Sequence, residues 1–395
     1  MRHAVIVLAL VAGASCVRAQ EEAPPVDTCL TSILPADICA VPGVEMNVYF
    51  DSIVLHPQSE LLLWDVDCNM GVQQNERWTC TPTEAEVGEH LLTIKVVSPE
   101  MAILLETQTT VHVIDPAAGA GAEMTMLCVG ASQTGASKYT ARMVELFAAD
   151  EAANVRLIGE AGPGGDTGNQ HEGYGGWTWD AFANRWDAEA EWREIDGRNR
   201  RVRSPFLFEV GGEPKLDFQR YLDKNNGGNP PDLMTILLGG NDTFSATEET
   251  IEARIDLMFA NMDKLMTELR RVAPDTEIGI VYLMPPSREQ DSFGANYQCT
   301  QTRWQYRRNM QRVIKRQTEM YLGSDDEHLS MVPAFVNLDP VWGFPGVAVP
   351  PNPHSADATR RMSNGLHPNQ AGYCQMGDAF YCWAKSRLAS IDERE

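Results

Sequence analysis

The chain has 395 residues, 43% hydrophobic and 22% charged, which allows one large or two ordinary domains with a substantial core and carries no signature of extended disorder. Its 32 Lys and Arg against 55 Asp and Glu leave a formal charge of −23. Phosphate binding needs clustered cations, so this balance excludes nucleic acid and anionic lipid as general partners and suits action on neutral substrates.

Arg2 and His3 precede an apolar run from Ala4 to Ala14, and Val17-Arg18-Ala19 offers small residues for cleavage. Residues 1–19 read as a signal peptide, so the mature protein is expected to be secreted or periplasmic. The run falls short of the roughly 20 apolar residues of a membrane span, and no later stretch reaches that length. Cleavage removes Cys16 and leaves Cys29, Cys39, Cys68, Cys80, Cys128, Cys299, Cys374 and Cys382. In an oxidising compartment several should pair. Cys68 and Cys80 bracket a hairpin pattern and are the expected disulfide, whereas Cys128, inside an apolar strand, is expected as a buried thiol. Cys374 and Cys382 share a predicted helix about 12 Å apart in rise, too far to bridge each other, which leaves Cys299 as a partner for one of them.

Within a predicted domain of residues 21–116, positions 41–115 carry strand signals and almost no helix signal. Runs at 46–55, 61–66, 77–81, 91–97 and 107–114 are short and β-branched or apolar, several with period two, and predict an Ig-like β-sandwich. Residues 117–122, all Ala and Gly, read as a small flexible linker. From 123 to 395 strands alternate with helices: strands at 124–129, 155–158, 233–238, 278–283 and 331–338, and helices at 138–147, 248–273, 302–321 and after Asn369. Ile251, Ile255, Met258, Met262, Leu265, Leu269 and Val272 form one apolar helical stripe, ended by Pro274. This alternation predicts an α/β fold with a parallel sheet covered on both faces.

Three segments sit just past predicted strand or strand-like ends, the edge where open α/β sheets build their sites. Gly130-Ala131-Ser132 places a hydroxyl where a strand turns into a helix. Gly239-Gly240-Asn241-Asp242 combines glycines that admit close approach with an uncharged N–H donor. Gly365-Leu366-His367-Pro368 carries a histidine able to deprotonate a hydroxyl arriving from another strand end. Each alone has a plainer reading as a helix cap, a turn or a loop residue; the three together, in this order, argue against that plainer reading.

With these residues in place the chain resembles the SGNH/GDSL hydrolases over about residues 124–390. The run from Met126 to Ser132 is similar to the family's first block, and His171-Glu172-Gly173-Tyr174-Gly175-Gly176-Trp177-Thr178 to its second. Gly239-Gly240-Asn241-Asp242 matches the third, and Leu366-His367-Pro368 the block that carries the histidine. The resemblance implies a flavodoxin-like three-layer α/β/α fold. It implies Ser132 as nucleophile and His367 as base. The N–H groups of Ser132 and Gly176, with Gly175 as the alternative, and the Asn241 amide would form an oxyanion hole. No metal or cofactor is implied; a metal reading of Asp166, His171 and Glu172 lacks tight ligand spacing.

Two departures stand out. Ala131 replaces the usual Asp beside the nucleophile, and Asn364 stands where an Asp three residues before the histidine is usual. The second leaves open a Ser–His dyad, a triad completed by Asn364 as orienting residue, or a carboxylate from elsewhere such as Asp339. Tyr174, Trp177 and Trp179 in or beside the second block, with Trp342 and Phe344 before His367, suggest flat faces for sugar rings, and core positions are the competing reading. The expected activity is hydrolysis of a small-molecule or polysaccharide ester, with an O-acetyl group on carbohydrate as the leading substrate. A lipid or short-acyl esterase and a non-catalytic glycan-binding protein are the alternatives.

Overall fold

The computed structural model of the protein describes residues 30–150, 152–164 and 167–392. The signal-peptide reading of residues 1–19, together with Cys29 and Asp166, lies outside them. Seven strands come first: β1 (Asp37–Ala40), β2 (Met46–Tyr49), β3 (Leu63–Asp67), β4 (Val72–Gln73), β5 (Arg77–Cys80), β6 (Gly88–Val97) and β7 (Ile103–Val113). They form a four-stranded sheet ordered β1-β7-β6-β3 and a three-stranded sheet ordered β2-β5-β4. Period two holds in β7, where Thr109, Val111 and Val113 are buried and Thr110 and His112 are not.

Two expectations change here. The run at 46–55 stops as a strand after Tyr49 and becomes a one-turn helix, α1 (Phe50–Ile53), because all four of its residues are drawn into the core. Cys68 and Cys80 are both free thiols, as are Cys299, Cys374 and Cys382. A hairpin does lie between Cys68 and Cys80, formed by β4 and β5. Its register pairs Val72 with Thr79, so continuing it sets Gly71 and not Cys68 across from Cys80. Cys128 is a buried free thiol as expected, its pKa pushed up to about 12 by burial.

The α/β region contains β8 (Ala122–Gly130), β9 (Ala153–Ile158), β10 (Glu172–Gly173), β11 (Trp192–Ile195), β12 (Arg198–Arg201), β13 (Leu207–Val210), β14 (Glu213–Leu216), β15 (Leu233–Leu237), β16 (Glu277–Val281) and β17 (Leu329–Val332). Its helices are α2 (Ser132–Gly135), α3 (Lys138–Ala149), α4 (Trp179–Asn184), α5 (Phe218–Asn225), α6 (Gly240–Thr243), α7 (Ile251–Val272), α8 (Gln290–Tyr297), α9 (Arg303–Leu322) and α10 (Gln370–Asp392). The main sheet runs β9-β8-β15-β16-β17, all parallel, with β10 pairing the last two residues of β8. This is the doubly wound order of the flavodoxin-like fold. Met126, Leu127, Cys128 and Val129 are completely buried, as a central parallel strand covered on both faces requires. The stripe on α7 is buried as read, except that Val272 is only half-buried. The run at 331–338 ends as a strand at Val332 and continues as a 3₁₀ turn, Ala334–Val336.

The two regions share buried polar contacts. Asp51 Oδ2 accepts from Arg303 at 2.7 Å and lies 2.8 Å from Arg307. Asn47 donates through its backbone N–H to Asn337 Oδ1 at 2.7 Å, and Tyr49 O–H donates to Asp339 at 3.2 Å. The segment read as a flexible linker is a set of tight turns in which Ala118 is buried. The ammonium of the fully buried Lys385 donates to the carbonyls of Pro116 and Ala118 and to Asp150, at 2.9, 2.6 and 2.8 Å.

Candidate active site

Chain order and sheet order together collect the three singled-out segments at one edge. Ser132 opens α2 directly past β8, where a helix leaves its first N–H groups without intrahelical partners. The space is tight: a Cβ on Gly173 of β10 would come within 2.5 Å of the Gly135 nitrogen, so only glycine lets β10 close against α2. Asn241 lies in α6, past the end of β15. Gly239 starts that turn at φ +109°, a conformation that glycine adopts without strain.

His367 Nε2 lies 2.8 Å from Ser132 Oγ. Burial alone lowers the histidine pKa from its ordinary value, which leaves the ring neutral near pH 7 and able to accept a proton. Its Nδ1 faces Asn364 Oδ1 at 3.3 Å. The same oxygen accepts the backbone N–H groups of Leu366 and His367, at 3.0 and 2.9 Å. Those two donors fix the amide with its oxygen toward the ring, which places the ring proton on Nδ1 and the free lone pair on Nε2. Asp339 does not supply the missing carboxylate. Its Oδ1 accepts from the N–H groups of Val341 and Trp342, its Oδ2 accepts from Tyr49, and no charge contributes to the His367 shift.

The Asn241 amide donates one hydrogen to the Trp177 carbonyl at 2.8 Å, leaving the other free. The next side chain, Asp242, accepts from the Trp179 N–H at 3.1 Å; burial pushes its pKa up to about 7. Ser132, Gly176, Asn241 and His367 line one cavity of about 310 Å³, otherwise walled mostly by apolar and aromatic side chains including Leu238, Phe244, Met284 and Tyr306, with Gln133 beside them. A second, larger cleft of about 930 Å³ meets it at Ser132 and is lined by Gly175, Trp192 and several arginines.

The expectation that Tyr174, Trp177 and Trp179 form an exposed sugar platform is corrected by burial. Trp179 is fully buried, and Tyr174 and Trp177 are 5% and 2% exposed. Tyr174 packs on Trp177 with ring centroids 4.6 Å apart, and its hydroxyl hydrogen-bonds Glu172. These rings brace the second block, and only edges of Tyr174 and Trp177 reach the clefts. Phe344 is core, while Trp342 is exposed but lines neither cleft.

The metal reading fails on chemistry. His171 Nδ1 accepts from the Gly173 N–H at 3.1 Å and its Nε2 meets Ser137 Oγ at 2.8 Å, while burial lowers its pKa to about 4. Glu172 accepts from Tyr221 at 2.9 Å and from the Glu160 N–H at 2.8 Å; burial, with the Glu160 charge, pushes it up to about 7. Both side chains are spent on the fold. Gln133 escaped notice in the sequence although it joins the serine turn to the histidine loop, its amide donating to the Leu366 carbonyl at 2.8 Å. A polar residue beside Ser132 carries no spacing that announces such a contact.

Residues 158–374 match the model of a family described as the GDSL-like lipase/acylhydrolase family. The match spans Gly176, Asn241, Asn364 and His367 and begins after Ser132. No curated protein matches the chain. Among solved structures, a family 3 carbohydrate esterase from Clostridium thermocellum is 14% identical, covering 68% of this chain and 98% of its own, with a TM-score of 0.38. One of the same family from Talaromyces cellulolyticus is 12% identical, with coverages of 68% and 99% and a TM-score of 0.38. A carbohydrate acetylesterase from Sinorhizobium meliloti is 13% identical, with coverages of 67% and 100% and a TM-score of 0.36.

Proposed function

The chain belongs to the GDSL-like lipase/acylhydrolase family and is a carboxylic ester hydrolase, and from that premise we propose that it works through an acyl-enzyme on Ser132. Ser132 Oγ attacks the ester carbonyl while His367 Nε2 takes its proton. The oxyanion is held by the N–H groups of Ser132 and Gly176 and by the Asn241 amide. Collapse of the tetrahedral intermediate expels the alcohol, which receives the proton from His367. Water then repeats the cycle and releases the acid. Asn364 orients the imidazole. The observation that carries this reading is the 2.8 Å contact between Ser132 Oγ and His367 Nε2.

The smaller cavity takes the acyl group, since its walls are mostly apolar and carry no charged side chain. The larger polar cleft takes the alcohol, which we read as carbohydrate, with acetyl as the acyl group. The apolar cavity of about 310 Å³ favours a second reading in which the acyl chain is longer. The N-terminal strands are read as an Ig-like module that braces the hydrolase, and the signal-like residues 1–19 support action outside the cytoplasm.

The deciding experiment pairs Ser132→Ala with a fluorophosphonate probe on p-nitrophenyl acetate. The expected outcome is loss of both hydrolysis and labelling with an unchanged circular-dichroism spectrum. Hydrolysis at the wild-type rate, with the adduct on another serine, would overturn the assignment. A p-nitrophenyl ester series from acetate to octanoate separates the two acyl readings: kcat/KM falling about tenfold beyond acetate supports acetyl, and a maximum at longer chains supports the second.

A further inference from the structure

The larger cleft is rich in arginine in a chain whose formal charge is −23. Arg185, Arg198, Arg200 and Arg201 line it, against one carboxylate among the described residues, Glu160. That carboxylate is already spent: it is ion-paired to the buried Arg201 and lies 3.1 Å from Lys224. Arg201 is in turn held over Trp192 and Tyr174, so it builds the wall. The other three arginines have no carboxylate partner among the described residues. With acids outnumbering bases 55 to 32, an arginine on this surface has carboxylates to choose from, and nearby Arg193 does pair, with Asp187 and Glu189 at 3.0 and 3.1 Å.

The hairpin β11–β12 delivers these groups. Its turn, Asp196-Gly197, has positive φ at both residues, +53° and +69°, the geometry of a tight hairpin. Neither Asp196 nor Glu194 lines the cleft. Arg185 lies on the other wall, its guanidinium 4.8 Å from the Trp177 ring centroid, and the carbonyl of that tryptophan holds Asn241. Three arginines without a carboxylate partner among the described residues thus line a cleft that opens at Ser132.

We infer that the alcohol part of the substrate carries an anionic group, a carboxylate or a sulfate ester, that docks on Arg185, Arg198 and Arg200 while its acyl ester sits at Ser132. The inference rests on the ester-hydrolase reading above and names its substrate class. It also departs from the neutral-substrate expectation drawn from net charge, because overall charge governs long-range attraction whereas a lined cleft acts within a Debye length. Planar guanidinium groups suit both oxyanions, with two N–H donors per group.

The test uses the full chain and three O-acetylated oligosaccharides of equal length, one neutral, one bearing uronic acid and one bearing sulfate. Hydrolysis of p-nitrophenyl acetate runs beside them. An enzyme inactive on that small ester refutes the underlying reading, and one active on it but indifferent to substrate charge refutes only this inference. The expected result is a kcat/KM for one anionic substrate about tenfold or more above the neutral one, the better of the two identifying the anion. Raising salt from about 20 to about 300 mM should erode that preference by raising KM. Arg198→Gln with Arg200→Gln should reduce the anionic-to-neutral ratio about tenfold. A neutral substrate hydrolysed as well as both anionic ones, or a preference that ignores salt and both substitutions, overturns the proposal. The salt arm on the wild-type protein decides the matter even if the double variant fails to fold.

Discussion

At the scale of single residues, the Asn364 oxygen performs two tasks. It closes the turn ahead of His367 by accepting two backbone N–H groups, and the same oxygen meets the imidazole Nδ1. An amide in this position is harmful when its NH₂ faces the ring, because the ring then adopts the wrong tautomer; here the backbone donors forbid that orientation. With Asp339 committed elsewhere, Asn364 is the acceptor that meets the ring Nδ1 among the described residues. Asn364→Ala should therefore lower turnover by on the order of 10² or more, as measured on p-nitrophenyl acetate against His367→Ala. Activity within about threefold of wild type would show that the ring needs no such partner. The sign of the pH effect follows from the depressed histidine pKa. Neutral imidazole is the active form, so the acidic limb of the rate profile should lie below the ordinary histidine value of about 6.5. Asn364→Asp adds an anion that stabilises the imidazolium and moves that limb upward; a profile that stays in place would count against the assigned contact.

Elements show which parts of the molecule were legible. The long helices and buried strands could be read because period and composition agree there: α7 matches its predicted stripe to within a few residues, and β8 is apolar on both faces. The hairpin β11–β12 went unread although Asp196-Gly197 is a strong turn signal, because charged strands on an exposed surface lack the apolar alternation that marks a sheet. The arginine cleft was hidden with it. The second-block aromatics illustrate the reverse problem: their types suit a sugar platform, and only the packing of Phe182 and Trp192 against them, with Phe206 behind Phe182, decides for a braced wall. Ser132, His367 and Asn241 were legible as a group because each lies in a segment past a strand end with its own glycines. Among these, Gly239 positions α6. A Cβ there would meet Met258 Sδ at 3.0 Å in a conformation that side chains rarely adopt. Gly239→Ala should cost about 1–2 kcal/mol and shift Asn241, so thermal stability and turnover should fall together. A fully stable variant with normal turnover would mean that the turn tolerates what its φ disfavours.

The whole molecule is joined at Asp51. Burial opposes its charge, but Arg307 and Arg303 prevail and hold its pKa below the ordinary carboxylate range. A carboxyl group with a depressed folded pKa contributes stability above its unfolded pKa, and that contribution is lost as pH falls through the folded value. Acid should therefore weaken the joint between strands and hydrolase from about pH 4 downward. Asp51→Ala leaves two guanidinium groups with little exposure and no anion between them, and should cost about 3–5 kcal/mol. Thermal unfolding of the variant checks this; a melting temperature unchanged from wild type would show that solvent compensates the arginines.

The turns at residues 117–121 look in the sequence like a place where the chain could be cut. Lys385, buried among the carbonyls of Pro116 and Ala118 and the Asp150 carboxylate, ties it to the last helix, and a protease must pull a segment of about ten residues into extended form before it can cleave. Limited digestion should spare this stretch while exposed loops are nicked, and it should release no stable fragment beginning near Glu123. Deleting everything before it would strip Arg303 and Arg307 of their anion and expose the surface that Asn47 and Tyr49 now cover. The strands and the hydrolase are thus expected to lose stability together, since a chain cut down to either piece would bare surface that the other now covers.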